Sequence, residues 1–215
     1  MNTRQKQADS YELKFETFCN KNRIEFIHLD RDKKARKKFL KTPAGKSPDF
    51  ICQKNNKNIF VEIKTHTLLT NEARNKTMIQ TIQAKKAAGL SGTTIFSPFD
   101  PTPELKIPFE GYLRDASKKF KNIKDEYSFP RVLLLDGIQI VKTDICRIFL
   151  GKNLCVDNGE YIKECRGLLD STGSNVSAIV YWDEYSNMYC GIENPKAKII
   201  FSKEDFKEFF EMRNN

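Results

Sequence analysis

The sequence predicts an α/β fold in which a central mixed β-sheet is flanked by helices. Short runs of β-branched and aromatic residues alternate with longer segments whose apolar residues recur at helical spacing. Two of the runs, residues 131–135 (RVLLL) and 176–182 (VSAIVYW), are nearly continuous in apolar residues, which is typical of strands buried on both faces. A chain of 215 residues can bury a substantial core, so we expect a single domain over residues 1–215.

The first half of the chain predicts a helix followed by three strands. Asp9 or Ser10 can cap the helix, which continues to about Asn20. The strands are predicted at residues 24–29 (IEFIHL), 49–53 (DFICQ) and 59–64 (IFVEIK). A polar turn at residues 54–58 joins the last two, which therefore form a β-hairpin.

The second half of the chain alternates helices and strands. We expect helices at residues 71–88, 111–124, 144–150 and 202–212, the last with Ser202 and Asp205 as a capping box. We expect strands at residues 131–135, 176–182 and 188–192. Residues 97–108 contain four prolines and predict an irregular surface loop.

The composition narrows the class of protein. Six cysteines form no CxxC pair and only two histidines are present, so neither a zinc finger nor a disulfide scaffold is expected. No segment approaches the roughly 20 apolar residues that span a bilayer. Since the start of the chain has no apolar signal-peptide region, we expect a cytoplasmic protein with no membrane partner.

The net charge of +9 favours a polyanionic partner, and one segment concentrates it. Residues 31–41 (RDKKARKKFLK) hold seven basic residues and one acid. The candidate phosphate contacts in this segment are Lys33, Lys34, Arg36, Lys37 and Lys38. No regular element presents the segment to a groove, so we expect it to contact phosphates rather than bases. The alternative is a solvated lysine-rich surface.

One set of acidic and basic residues is spaced in a way that predicts a catalytic site. Pro48-Asp49 opens one strand of the predicted hairpin, and Glu62-Ile63-Lys64 lies near the end of the other, thirteen residues later. Glu62 and Lys64 share a face because strand side chains alternate. Two carboxylates suit Mg²⁺, which takes one or two of them together with water and phosphate oxygens. A lysine beside them can orient water or stabilise charge on phosphate. Taken singly, Asp49 could be a turn residue, and Glu62 and Lys64 the solvated face of an edge hairpin.

The pattern PD-x12-ExK across a β-hairpin resembles the PD-(D/E)xK nuclease superfamily, also called restriction-endonuclease-like. Pro48, Asp49, Glu62 and Lys64 match its motif. The resemblance covers roughly residues 9–136, with the helix, three-stranded meander, helix and strand in the family's order. It implies a restriction-endonuclease-like sheet and a site in which Asp49 and Glu62 bind Mg²⁺ or Mn²⁺ and Lys64 activates water. Residues 137–215 match no motif and would extend the sheet, with a role in substrate recognition or dimerisation.

The resemblance also implies accessory residues. A glutamate on the first helix completes the metal site in many members, and Glu12 fits this place best, with Glu16 as the alternative. A Gln or Lys on the helix after the ExK strand lies near the scissile phosphate, and Lys118 or Lys119 fits that place. Gln80 and Gln83 on the preceding predicted helix are weaker candidates, as is His66 for a contact to phosphate or metal. The long link between Lys64 and the helix at 111–124 departs from the family's pattern and leaves open which helix is the core one.

These observations predict a metal-dependent nuclease that hydrolyses phosphodiester bonds, acts as an endonuclease and prefers DNA to RNA. A homodimer would suit cutting both strands. The alternatives are a catalytically inactive nucleic-acid-binding module, an RNA endonuclease of the same fold, and a basic structural or interaction protein.

Overall fold

A mixed β-sheet of six strands organises the part of the chain that the structure describes. The structure is a computed structural model, and it describes residues 3–65, 102–137, 142–151, 167–183 and 188–209. The strands are β1 (Glu25–His28), β2 (Phe50–Lys54), β3 (Lys57–Thr65), β4 (Arg131–Asp136), β5 (Ala178–Asp183) and β6 (Met188–Glu193). They lie side by side in chain order. The pairs β1–β2, β2–β3 and β5–β6 are antiparallel, whereas β3–β4 and β4–β5 are parallel.

Helices cover both faces of this sheet. They are α1 (Thr3–Lys21), α2 (Lys33–Phe39), α3 (Thr102–Lys121), α4 (Lys142–Leu150) and α5 (Leu168–Thr172), with a 3-10 turn at Lys207–Phe209. Helices α2 to α5 contribute to one apolar core, and α1 and the 3-10 turn contribute to the other. None of the described helices is long and apolar enough to cross a membrane.

The alternation of side chains along β3 decides which residues meet α3. Ile59, Val61 and Ile63 belong to the core that contains α1. Phe60 belongs to the core that contains α2 and α3. Because alternate residues share a face, Glu62 and Lys64 lie on the α3 side of the sheet.

The β2–β3 hairpin was predicted, and the structure explains its register. Lys54 pairs with Lys57, so the connection is the two-residue loop Asn55-Asn56. Both asparagines have positive φ, 49° and 61°, as a type I′ turn requires, and asparagine tolerates this conformation better than most residues. This turn fixes the register at the opposite end of the hairpin, where the candidate site lies.

The structure corrects the prediction for the basic segment at residues 31–41, which forms the short helix α2. Asp32 caps it, accepting hydrogen bonds from the main-chain N–H groups of Lys34 (2.7 Å) and Ala35 (3.0 Å). Ala35 and Phe39, four residues apart, are buried on one face. A regular element therefore does present the lysines of this segment.

Two further helix predictions differ from the structure. Helix α1 begins at Thr3, so Asp9 and Ser10 lie inside it rather than at its cap; residues 3–8 contain no Gly or Pro to stop it. Helix α3 begins at Thr102, so residues 102–108 are helical and not an irregular loop. Pro103 lies in the first turn of α3, where its missing N–H needs no partner. The predicted helix at 71–88 lies outside the described residues.

The C-terminal helix predicted at residues 202–212 is also wrong over its described part. Residues 203–206 form a turn, followed by the 3-10 turn. Asp205 N donates to Ser202 O (3.1 Å) in that turn, so the two residues do not form a capping box. Phe201, Phe206 and Phe209 all pack into the core that contains α1.

Candidate active site

The open end of the β2–β3 hairpin brings Asp49 and Glu62 together. Phe50 pairs with Val61, so Asp49 and Glu62 are opposite each other one step further along. Asp49 N donates to Val61 O (3.1 Å), and Ile63 N donates to Asp49 Oδ2 (2.7 Å). The second contact holds the Asp49 carboxylate against β3 and leaves Oδ1 towards α3.

Two lysines neutralise these carboxylates. Lys119 Nζ lies 2.6 Å from Glu62 Oε1 and 3.3 Å from Asp49 Oδ1, so one ammonium joins both acids. Lys64 Nζ lies 2.9 Å from the same Glu62 oxygen. Lys119 belongs to α3, which places it over the sheet from the side that Glu62 faces. Lys118, the other residue predicted for this role, is exposed on α3 and does not face the site.

Glu62 is fully buried, and its environment perturbs its protonation. Burial raises the pKa of the Glu62 carboxyl to about 7, and the neighbouring charge of Asp49 acts in the same direction. Lys64 and Lys119 oppose this shift. Burial would lower the pKa of the Lys119 ammonium, but Asp49 and Glu62 outweigh it and raise that pKa. Such coupled, shifted groups in one place are characteristic of functional sites.

Asp115 is a site residue that the sequence interpretation missed. Its Oδ2 lies 2.6 Å from Lys64 Nζ, and its Oδ1 lies 3.0 Å from Lys46 Nζ. Burial would raise the pKa of Asp115, but the hydrogen bonds from Lys64 and Lys46 outweigh it and hold it at about 2. A signal was present: Asp115 precedes Lys119 by four residues in the predicted helix, so both share a helix face.

Glu12 lies at the margin of the site rather than within it. Its carboxylate forms an ion pair with Arg31. Burial raises the pKa of Glu12, Arg31 opposes the shift, and Asp49 adds to it, so the two carboxyls interact electrostatically. Glu16, the alternative, lies 3.1 Å from His28 Nε2 through its Oε1. The structure therefore gives Glu12 and Glu16 other partners.

The donor set at Asp49 and Glu62 fits a hard divalent cation. The position of Lys119 supports this fit, because its ammonium group is a cation that already lies within 3.3 Å of both carboxylates. Mg²⁺ and Mn²⁺ need one or two carboxylates, with water and phosphate oxygens completing the shell. In the described ranges, no three His, Cys, Asp or Glu side chains are grouped so that they could hold a metal ion. Of the predicted ligands Asp49, Glu62 and Glu12, the first two share the Lys119 ammonium, whereas Glu12 is paired with Arg31.

The predicted nucleic-acid contacts divide into exposed and internal side chains. Lys33, Lys34, Lys37 and Lys38 are exposed on α2, as Lys118 is on α3. Arg36 is different, since its guanidinium donates to Pro43 O (2.6 Å) and to Ser47 Oγ (2.8 Å). It holds in place the loop that leads to Asp49. The candidates His66, Gln80 and Gln83 lie outside the described residues.

Comparisons with known proteins found no match to this chain. No protein-family model matches the chain, and neither a curated protein nor a solved structure matches it. The functional assignment therefore depends on the geometry of the site.

Proposed function

We propose that this chain is a metal-dependent nuclease of the PD-(D/E)xK type, with a restriction-endonuclease-like fold, that hydrolyses phosphodiester bonds in DNA as an endonuclease. The observation that carries the proposal is the meeting of Asp49, Glu62 and Lys64 at one end of the hairpin, with Lys119 above them. Two carboxylates and two ammonium groups in one half-buried cluster suit a reaction at a phosphodiester.

The order of elements supports the proposal. An antiparallel meander of three strands follows α1, and α3 leads into β4, which lies parallel to β3. This is the order that the resemblance implies for the core. Among the described helices, α3 supports the proposal further, since it supplies both Asp115 and Lys119.

Each site residue has a distinct part in the proposed reaction. Asp49 and Glu62 would hold Mg²⁺ or Mn²⁺, which when bound supplies water activation and positive charge at the scissile phosphate. Lys64 is held between Glu62 and Asp115. Burial would lower the pKa of Lys64, but Glu62 and Asp115 outweigh it and raise that pKa above its usual 10.5. We therefore assign Lys64 the role of a cation that orients water and stabilises charge on phosphate, and not that of a proton acceptor.

The exposed lysines of α2 and Lys118 supply the attraction for the polyanion. Each phosphate that a lysine neutralises releases a counterion, which favours binding regardless of sequence. Helix α2 follows Arg31, which is joined to Glu12 at the margin of the site. A nucleic acid on α2 would therefore lie next to the carboxylates.

The test is cleavage of supercoiled plasmid, single-stranded DNA and RNA in Mg²⁺, Mn²⁺ or EDTA. We expect metal-dependent cutting of DNA, reduced at least about 100-fold in Lys64→Ala, because removing one donor to the developing charge costs this much in other enzymes. Lys57→Ala is the matched control, since Lys57 is exposed at the far end of the same strand. It should cut like the wild type.

Each other outcome changes the proposal in a defined way. Cutting of RNA in preference to DNA would change the substrate and keep the chemistry. Binding of nucleic acid without cleavage, unaffected by metal, would leave the inactive binding module. Absence of both cutting and metal binding would overturn the nuclease assignment.

A further inference from the structure

In the part of the chain that the structure describes, each carboxyl group of the candidate site lies next to a lysine. Three carboxyl groups, those of Asp49, Glu62 and Asp115, are contacted by three lysines. The lysines are Lys46, Lys64 and Lys119. A divalent cation added to this cluster would leave an excess of positive charge. Charges a few ångströms apart in a partly buried site interact strongly, so binding of the cation favours the departure of one lysine.

The geometry indicates which lysine leaves. Lys119 Nζ lies against both proposed metal ligands, at 2.6 Å from Glu62 Oε1 and 3.3 Å from Asp49 Oδ1. Lys64 contacts one of these ligands and is also held by Asp115 at 2.6 Å. Lys46 contacts Asp115 and not the ligands. A cation that binds Asp49 and Glu62 therefore takes the place of the Lys119 ammonium, while Asp115 retains the other two.

We propose that Lys119 is a built-in counter-ion that competes with the divalent cation for Asp49 and Glu62 and is displaced when the cation binds. This inference rests on the proposed metal site and adds to it a contact that weakens metal binding in the absence of substrate. The lysine lies on α3, whose Phe109, Leu113 and Phe120 are fixed in the core, so only its flexible side chain has to move.

A consequence concerns the nucleic acid. Once displaced, the Lys119 ammonium lacks its carboxylate partners, and a phosphate of the nucleic acid is the natural acceptor. Metal and nucleic acid would then each strengthen binding of the other, because both favour the displaced lysine. Lys119 thus links occupation of the metal site to arrival of substrate.

The first test measures metal affinity without nucleic acid. Mn²⁺ is titrated calorimetrically into the chelator-treated full-length protein, its Lys119→Met and Lys119→Arg variants, and Lys121→Met as control. Met keeps the length of the side chain without its charge, and Lys121 is an exposed lysine at the end of the same helix. We expect Lys119→Met to bind Mn²⁺ roughly tenfold more tightly than the wild type. The other two variants should stay close to the wild type.

The second test uses the wild-type protein and so does not depend on the folding of a variant. Lysines are acetylated with an amine-reactive ester, with and without Mn²⁺, and the extent at each lysine is measured by mass spectrometry. We expect Mn²⁺ to increase the reactivity of Lys119 at least about threefold, since a displaced ammonium is freed from its two carboxylates. Lys64 and the exposed Lys121 should not change.

The two proposals fail in different ways. Mn²⁺ binding of equal strength in wild type and Lys119→Met, with no change in Lys119 labelling, would overturn the counter-ion role and leave the metal site in place. Absence of Mn²⁺ binding in both proteins would overturn the metal site and the counter-ion role together. Tighter binding by Lys119→Met that Asp49→Asn abolishes would support both.

Discussion

Among single residues, Glu62 governs how the site responds to protons. Its pKa is about 7 in the folded protein against an ordinary value of 4.5, chiefly because it is buried. Between these values the folded state binds more protons than the unfolded state, so stability falls as the pH rises through this window. The pKa of Asp115 is about 2, and the pKa of Lys64 lies above its usual 10.5, so neither residue titrates there.

This difference predicts the pH dependence of folding in the absence of metal. Between about pH 5 and pH 8, the unfolding free energy of the wild type should fall by up to about 3 kcal/mol more than that of Glu62→Gln, which cannot titrate. Urea unfolding in EDTA across this range measures both slopes. Glu12, whose pKa is also raised, is present in both proteins, so its contribution cancels. Equal slopes for the two proteins would mean that Glu62 is already ionised throughout.

Among the elements, the β2–β3 hairpin could be predicted and helix α2 could not. The hairpin depends on signals close in sequence: two strand-like runs and a polar turn. Helix α2 has seven residues, too few to be stable alone, and in the sequence it resembles a solvated charge run. Its stability comes from distant partners: Phe39 packs on Phe60 and Tyr127, and Arg36 binds Ser47.

The same contrast between local signals and distant contacts explains which site residues could be predicted. Asp49, Glu62 and Lys64 could be predicted because a hairpin brings residues of short sequence separation together. Asp115 was missed, and Lys119 could not be separated from Lys118, because their place depends on how α3 rotates above the sheet. That rotation is fixed by packing of Phe109, Leu113 and Phe120 against the core, which no local pattern encodes.

Helix α2 also carries a prediction about binding. Lys33 and Lys37 are four residues apart and exposed, so they share one face of the helix. The double variant Lys33→Gln/Lys37→Gln should weaken DNA binding and reduce the slope of log K against log salt by about 1.4 to 1.8, since each neutralised phosphate contributes roughly 0.7 to 0.9. Fluorescence anisotropy at several salt concentrations in EDTA measures both quantities.

A double variant beside the other core serves as the control, since Phe201 packs into the core with α1 and Phe39 of α2 packs into the opposite one. Lys198→Gln/Lys203→Gln removes the same charge from exposed positions near the C-terminal segment. It should leave the slope of the wild type nearly unchanged. A similar loss of slope in both double variants would indicate that only the net charge of the protein matters, and not the position of α2.

At the scale of the whole molecule, the two cores share a single sheet. Leu133 and Leu135 face the core with α3, and Val132 and Leu134, their neighbours on β4, face the core with α1. Each core packs against one face of this sheet, so disruption of the sheet would expose both cores to solvent. We therefore expect the two faces to unfold together in one transition.

Two residues on opposite faces can report this transition separately. Trp182 is the only tryptophan and packs on the α1 side, 4.9 Å from Tyr189 between ring centroids. Cys146, on α4, is buried in the other core. Urea unfolding followed by Trp182 fluorescence and by alkylation of Cys146, read by mass spectrometry, should give coincident midpoints.

Replacing a large core residue by a small one gives a second test of this prediction. Phe209 is fully buried on the α1 side and lies 5.2 Å from Phe18 between ring centroids. Phe209→Ala should cost about 3–5 kcal/mol and move both midpoints equally, because the sheet couples the faces. Ile200→Ala, at a position 76% exposed in the same segment, should move neither. A shift confined to the Trp182 signal would show instead that the α1 face unfolds first, which would leave the β2–β3 hairpin and its carboxylates supported from the α3 side alone.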